Sequence, residues 1–117
     1  MQKNLPFFIT GSEKKGPWLI TCDHARNLVP KAIGSKSLGL PEKEMQRHIA
    51  YDIGAEGLSL ALGTLLKSPV LCSNFSRLVI DPNRGEDDPT LIMKIYDGTV
   101  IPANRDADAA ETITRLN

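Results

Sequence analysis

The sequence has no excess of charge of either sign. Its 117 residues include 14 lysines and arginines against 14 aspartates and glutamates, so the formal net charge is zero. Proteins that bind nucleic acids or anionic membranes concentrate basic residues, and this neutral chain therefore argues against both kinds of partner. Its content of 41% hydrophobic and 24% charged residues is typical of a globular domain and argues against disorder.

Long hydrophobic runs are also missing. The first 16 residues lack the continuous apolar stretch of a secretory signal, and no segment approaches the roughly 20 apolar residues that span a bilayer. We therefore expect a cytoplasmic protein with no membrane partner. The length fits a single domain over residues 1–117.

Cysteine is scarce, and its spacing excludes a CxxC metal or redox motif. Cys22 and Cys72 each lie in an apolar, strand-like stretch, so we expect buried free thiols. A disulfide between them would require their strands to be neighbours. The motifs GxxxxGK, GxGxxG, HExxH and GxSxG do not occur, which removes support for the common nucleotide-binding, zincin and serine-hydrolase functions.

The hydrophobic pattern predicts alternating strands and helices, which indicates an α/β sheet. The first predicted elements are strands at 5–10 and 18–22 and a loop at 25–40 that contains Pro30, Gly34 and Gly39. A helix from about 42 to 67 follows and stops before Pro69, and two further strands are predicted at 69–74 and 77–81. The last elements are a hairpin in 90–102 that turns at Asp97–Gly98 and a final helix capped by Asp106 or Asp108. Each glycine inside the long helix weakens it by about 1 kcal/mol, so close packing is the expected compensation.

Polar residues cluster where two predicted strands end. His24 follows the run "WLITCD", and the ends of strands in an open α/β sheet form a crevice for ligands. A histidine there could be a metal ligand, a general base, or simply a polar residue at a strand end.

The stretch "SRLVIDPNR" supplies the second cluster. As a strand it would place Arg77, Val79 and Asp81 on one face, and Asn83 and Arg84 would project from the loop beyond Pro82. An arginine fork matches a carboxylate, so this set suits a small anionic ligand. The alternative is an internal ion pair, Arg84–Asp81 or Arg77–Asp81, that stabilises the turn.

His48 and Asp52 are four residues apart and share one face of the predicted long helix. Asp52 is flanked by Ile49 and Ile53 and would therefore lie near the buried stripe, where a carboxylate needs a metal, an arginine or His48 as partner. A hydrogen bond on the helix surface is the plainer alternative.

Taken together and in order, five stretches resemble the N-formylglutamate amidohydrolase family. They cover most of residues 17–104 and read "PWLITCDHARNLVP", "LGL", "HIAYDIGAEGLSLALGTLL", "SRLVIDPNRGEDDP" and "DGTVIPAN". The resemblance implies a mixed α/β sheet with helices on both faces, as in the related zinc carboxypeptidases and the aspartoacylase and succinylglutamate desuccinylase group. It also implies hydrolysis of the amide bond of an N-acyl acidic amino acid, most directly N-formyl-L-glutamate, with zinc or another divalent metal.

The same resemblance assigns roles position by position. His24 matches a zinc ligand, whereas Asn27 stands where a glutamate ligand is expected, and neutral asparagine is a poor zinc ligand. Asp52 is therefore our candidate for the second metal ligand.

For the substrate, the resemblance implies that Asn83 and Arg84, with Asp81, bind a carboxylate. Arg77 is the candidate catalytic residue that would polarise the scissile carbonyl. These roles require His24 and Arg84 to lie at one edge of a cleft.

The family domain is expected to continue for about another hundred residues, which would hold a later zinc histidine and the glutamate that activates water. The sequence thus resembles the N-terminal portion of such an enzyme. Two alternatives remain open, a small-carboxylate binding module without the metal and an incomplete structural fragment. Exposed apolar surface on the last helix would favour self-association.

Overall fold

A computed structural model describes residues 5–33 and 37–117 and contains ten short elements. In chain order these are β1 (Phe7–Thr10), β2 (Ile20–Cys22), a 3₁₀ turn (Lys31–Ile33), α1 (Glu42–Met45), α2 (Ala55–Leu66), β3 (Val70–Ser73), β4 (Ile95–Tyr96), β5 (Thr99–Val100), α3 (Pro102–Arg105) and α4 (Ala109–Leu116). The predicted loop at 25–40 contains the 3₁₀ turn, and its Gly34 lies outside the described residues.

The main sheet is mixed, as predicted. Its strand order is β1-β3-β2, with β1 antiparallel and β2 parallel to the central β3. The alternation of strand and helix predicted the α/β sheet, and the family resemblance implied that the sheet is mixed; both expectations agree with the structure. The hairpin β4–β5 turns at Asp97–Gly98, where both residues have positive φ (47° and 78°), as a two-residue hairpin turn requires.

The two cysteines lie side by side in the main sheet. Cys22 of β2 is the Cα partner of Cys72 in β3, so the condition for a disulfide is met, yet both are free and buried. Burial, with the neighbouring Cys22, raises the pKa of the Cys72 thiol to about 11. The prediction of buried free thiols is confirmed.

Helix α2 covers β2 and β3 and is shorter than predicted. Gly63 lies so close to β3 that a Cβ there would clash with a methyl group of Val70, which is the close packing expected of a helix glycine. The prediction of one helix over 42–67 is wrong. Residues 46–54 form turns between α1 and α2, and Gly54 adopts φ 85° immediately before α2.

The predicted strand at 77–81 is also wrong. These residues form a turn in which the Val79 N–H donates to the Ser76 carbonyl (3.0 Å) and the Leu78 N–H donates to the Ser76 hydroxyl (3.1 Å). The Arg77 and Asp81 side chains meet at this turn, with Nη2 2.9 Å from Oδ2, whereas the extended backbone of a strand would separate residues four apart by about 13 Å.

The larger core cluster lies under this turn and positions the polar residues around it. It combines apolar residues of the 38–50 region with Leu78, Val79 and Ile101. The Ser76 hydroxyl and the Arg77 N–H both donate to the Ala50 carbonyl, at 2.8 and 3.3 Å, and so fix the turn to the preceding segment. None of the helices in the described ranges is long and apolar enough to cross a bilayer.

Candidate functional site

His24 sits at the end of β2, where the strand leaves the sheet. Only 9% of its surface is exposed, and its carbonyl accepts a hydrogen bond from the Asp52 N–H (2.9 Å). The Ser73 hydroxyl donates to the neighbouring Asp23 carbonyl (2.5 Å). These backbone contacts hold the histidine between the end of the sheet and the turn before α2.

Asp81 is fully buried behind the imidazole. Its Oδ1 lies 2.7 Å from His24 Nε2 and accepts the Asn83 N–H at 2.9 Å. Burial raises the pKa of Asp81, but the hydrogen bonds from His24 and Asn83 and the charges of His24 and Arg77 outweigh burial and lower it. An ionised carboxylate only accepts, so we assign a proton to Nε2 of His24.

Arg77 contacts the second carboxylate oxygen of Asp81. Its Nη2 lies 2.9 Å from Asp81 Oδ2, and the arginine is 8% exposed. The internal ion pair considered as an alternative is therefore present. Within the described residues, Arg77 Nε has no hydrogen-bond partner, and the contact of Asp81 Oδ2 with Nη2 is an ion pair rather than an aligned hydrogen bond. The guanidinium also stacks over the Tyr96 ring, with Cζ 4.9 Å from the ring centroid.

Asp52 approaches the remaining imidazole nitrogen from the open side. Its Oδ2 lies 3.4 Å from His24 Nδ1, and its side chain is 55% exposed. Two ligands of a tetrahedral zinc site, with bonds of about 2.0–2.2 Å, lie roughly 3.4 Å apart. The spacing and the donor types therefore fit a shared metal. Within residues 5–33 and 37–117, no group of three or more His, Cys, Asp and Glu side chains is arranged to hold a metal ion.

Asn83 and Arg84 follow Asp81 on an exposed loop. The Asn83 N–H donates to the Asp81 carboxylate, and the Arg84 N–H donates to the Asp81 backbone carbonyl (3.1 Å). These two hydrogen bonds fix the main chain of the loop. Both residues are exposed, and neither side chain makes a hydrogen bond or ion pair within the described part of the chain. The predicted carboxylate-binding pair is thus tied to the carboxylate that holds His24, with its side chains directed to solvent.

His48 is not part of this cluster. The interrupted helix separates it from Asp52, and its Nε2 instead lies 3.4 Å from Asp97 Oδ2 on the surface. The prediction that His48 and Asp52 share a helix face is therefore wrong. The three glycines within 54–63 lower the helix propensity of this segment and were the sequence evidence against one uninterrupted helix.

Sequence reasoning missed one residue near the site, Tyr96. Tyr96 stacks on Arg77 from the distant hairpin, and only the tertiary fold brings them together. Asn27, in place of the expected glutamate, donates from Nδ2 to the Met45 carbonyl (2.7 Å), a contact that a glutamate cannot make because it has no donor when ionised.

A cavity lies elsewhere on the molecule. It has a volume of about 490 Å³ and a mostly apolar lining that includes Leu28, Phe75 and Ile80, but none of His24, Asp52 or Asp81. Beside the buried His24, Arg77 and Asp81, the side chains of Asp52, Asn83 and Arg84 are exposed and accessible to a ligand.

Comparisons with known proteins agree with this architecture. No curated protein matches the chain. Among solved structures, gene product Atu2144 of Agrobacterium tumefaciens is similar, with 30% identity and a TM-score of 0.91 over 97% of this chain. This chain spans 44% of the length of that protein. The family model of N-formylglutamate amidohydrolase matches residues 16–117. The chain belongs to the N-formylglutamate amidohydrolase family.

Proposed function

We propose that the chain forms the metal- and carboxylate-binding part of a hydrolase that cleaves the amide bond of N-acyl acidic amino acids. The simplest substrate is N-formyl-L-glutamate, which with water gives formate and L-glutamate. Family membership supports the reaction class. The observation that carries the proposal is His24, which is held through Nε2 by buried Asp81 and faces the accessible carboxylate of Asp52 through Nδ1.

The arrangement suits a metal ligand supported from behind. Metal-binding histidines commonly donate their second ring N–H to a carboxylate, which fixes the tautomer and makes the free nitrogen more basic. Asp81 is positioned for this role, and His24 Nδ1 with Asp52 Oδ2 would hold zinc or another divalent ion. When bound, such an ion polarises the acyl carbonyl and lowers the pKa of its bound water. Further ligands would come from outside this set, in a zinc-carboxypeptidase-like fold with helices on both sheet faces.

Asn83 and Arg84 would bind the substrate carboxylate. Their side chains are exposed, and their main chain is hydrogen-bonded to Asp81. Asp81 would therefore position both this carboxylate-binding pair and the metal ligand His24. Arg77 is buried against Asp81 and Tyr96, which favours a positioning role through Asp81 over direct contact with the scissile carbonyl.

Zinc binding tests the metal site directly. The purified chain should bind zinc, and His24→Ala should weaken binding at least about tenfold because a ligand is removed. Asp52→Ala should act in the same direction. Competition with a chromogenic chelator measures the Kd, and circular dichroism verifies the fold of each variant.

His48→Ala is the matched control because it removes the only other histidine, which is exposed and pairs with Asp97 on the surface. It should bind zinc as the wild type does. No zinc binding by the wild type, or equal Kd values for His24→Ala and the wild type, would contradict the metal site.

The carboxylate anchor has a separate test. Arg84→Ala should weaken binding of N-formylglutamate or glutamate about tenfold or more, because a charge-assisted hydrogen bond is lost without disturbing a folded-state contact. Calorimetric titration gives the Kd, with Arg105→Ala as a control at another exposed arginine. Unchanged binding in Arg84→Ala would remove this residue from the anchor.

The small-carboxylate binding module remains the second candidate. It is favoured by the absence of a three-ligand metal group within the described ranges. The two measurements separate the candidates: ligand binding that depends on Arg84 without any zinc binding would favour the binding module.

A further inference from the structure

We propose that Tyr96 is a positioning residue for His24 and acts through Arg77 and Asp81. The proposal rests on the proposed function, since it assigns the β4–β5 hairpin to the support of that same site. The Tyr96 ring lies against Arg77 and, edge-on, against the exposed His48 (centroids 6.2 Å apart), so its effect on His24 would pass through a chain of three contacts, each visible in the structure.

The first contact is between the Tyr96 ring and the Arg77 guanidinium. Arg77 Cζ lies 4.9 Å from the ring centroid, a cation–π arrangement. Arg77 Nε is buried and has no hydrogen-bond partner within the described part of the chain. The contacts recorded for the guanidinium are therefore those with the Tyr96 ring and the Asp81 carboxylate.

The second and third contacts pass through the two oxygens of one carboxylate. Asp81 Oδ2 contacts Arg77 Nη2 at 2.9 Å, and Oδ1 contacts His24 Nε2 at 2.7 Å. Without the ring, the guanidinium could tilt, and the carboxylate could then rotate. Rotation of the carboxylate would weaken the contact that holds the proton on Nε2 and keeps Nδ1 directed towards Asp52.

The hairpin itself is fixed to the body of the protein, as a positioning element must be. Arg47 donates to the Thr99 hydroxyl and to Asp97 Oδ2, both at 2.9 Å, and also pairs with Glu44. The Ile101 N–H donates to the Lys94 carbonyl at 2.8 Å and closes the base of the hairpin. These contacts fix the hairpin relative to α1 and leave the Tyr96 ring little freedom to leave Arg77.

The tautomer of His24 tests the proposal without any metal. In ¹⁵N-labelled protein at about pH 8, long-range ¹H–¹⁵N spectra should show the Nε2–H form in the wild type and in Tyr96→Phe, which keeps the ring. Tyr96→Leu and Tyr96→Met, which lack it, should show a mixture of tautomers. The ring signals that disappear in His24→Ala are those of His24. Zinc affinity should fall about three- to tenfold in the two variants without a ring.

Ile95→Ala is the control for general loosening of the hairpin, because Ile95 is the exposed neighbour on the opposite face of β4. It should retain the wild-type tautomer. A folded Tyr96→Met protein that keeps the wild-type tautomer would overturn the proposal. A mixture of tautomers in Tyr96→Phe or in Ile95→Ala would also overturn it. Failure of the wild type to bind zinc would reject the proposed function, and the tautomer spectra alone would then decide the role of Tyr96.

Discussion

Replacing Asp81 with asparagine should lower the free energy of unfolding by about 3–5 kcal/mol, because it leaves the buried Arg77 charge without a counter-charge. Asp81 is fully buried, and Arg77 is 8% exposed, so water cannot take over the lost contact. The new amide would also direct its NH2 group at one of two groups that are themselves donors, Arg77 Nη2 or His24 Nε2. Urea unfolding followed by circular dichroism measures the difference.

The same substitution has a pH signature. The pKa of Asp81 is lower in the folded state than the ordinary value of 3.8, so the ionised carboxylate stabilises the fold above that value. This contribution is lost as the pH falls through the lower folded-state pKa. The stability gap between wild type and Asp81→Asn should therefore be full at neutral pH and shrink below about pH 4. Taking the difference between the two proteins removes the parallel titration of Asp88 and Glu44.

Asp87→Asn provides the matched control, an aspartate-to-asparagine change on the exposed loop that follows. It should change the free energy of unfolding by no more than about 0.5 kcal/mol. A loss in Asp81→Asn as small as that in Asp87→Asn, or a stability gap that widens in acid, would show that the buried pair does not stabilise the protein as we argue.

Local sequence patterns correctly predicted the elements whose conformation is determined by a few neighbouring residues. The apolar runs ending at Cys22 and Ser73 became neighbouring parallel strands, and Asp97–Gly98 became the tight hairpin turn. Asp108 caps the last helix, with its Oδ1 accepting the Glu111 N–H at 2.9 Å. In each case a short motif has one strongly favoured conformation, so tertiary contacts did not need to be known.

The errors occurred where a side chain changed the local conformation. Residues 77–81 alternate like a strand, but the Ser76 hydroxyl binds the Leu78 N–H and the Ala50 carbonyl and starts a turn instead. Gly54 likewise permits the positive φ that precedes α2. The spacing of hydrophobic residues contains no information on either the turn at Ser76 or the positive φ of Gly54.

For the site, the sequence identified the polar residues but not how they pair. It singled out His24, Asp52 and Asp81 as chemically important, and the structure brings these three together. It could not show that Asp81 lies behind His24 while Asn83 and Arg84 face solvent, because that depends on the turn at 76–81. The contact with Tyr96 depends on a hairpin about fifteen residues further along the chain and leaves no local signal.

Replacing Arg115 with methionine should lower the free energy of unfolding by about 3 kcal/mol, because buried acceptors would lose their donor. The Arg115 side chain is 1% exposed, and its Nη1 donates to the Val79 carbonyl (2.9 Å) and to Asn104 Oδ1 (2.6 Å). Asn104 in turn donates to the Leu78 and Met93 carbonyls, both at 2.7 Å. One arginine therefore joins α4 to the turn that carries Asp81.

This connection is polar, although α4 carries exposed apolar residues, Ile113 at 59% and Leu116 at 43%. Arg115→Lys should fall between methionine and the wild type, because an ammonium group cannot reproduce the planar fork. Arg105→Met, at an exposed arginine on α3, should change the free energy of unfolding by no more than about 0.5 kcal/mol. Equal urea midpoints for Arg115→Met and Arg105→Met would mean that α4 is not held by its arginine, and that the Asp81 turn is stabilised independently of the last helix.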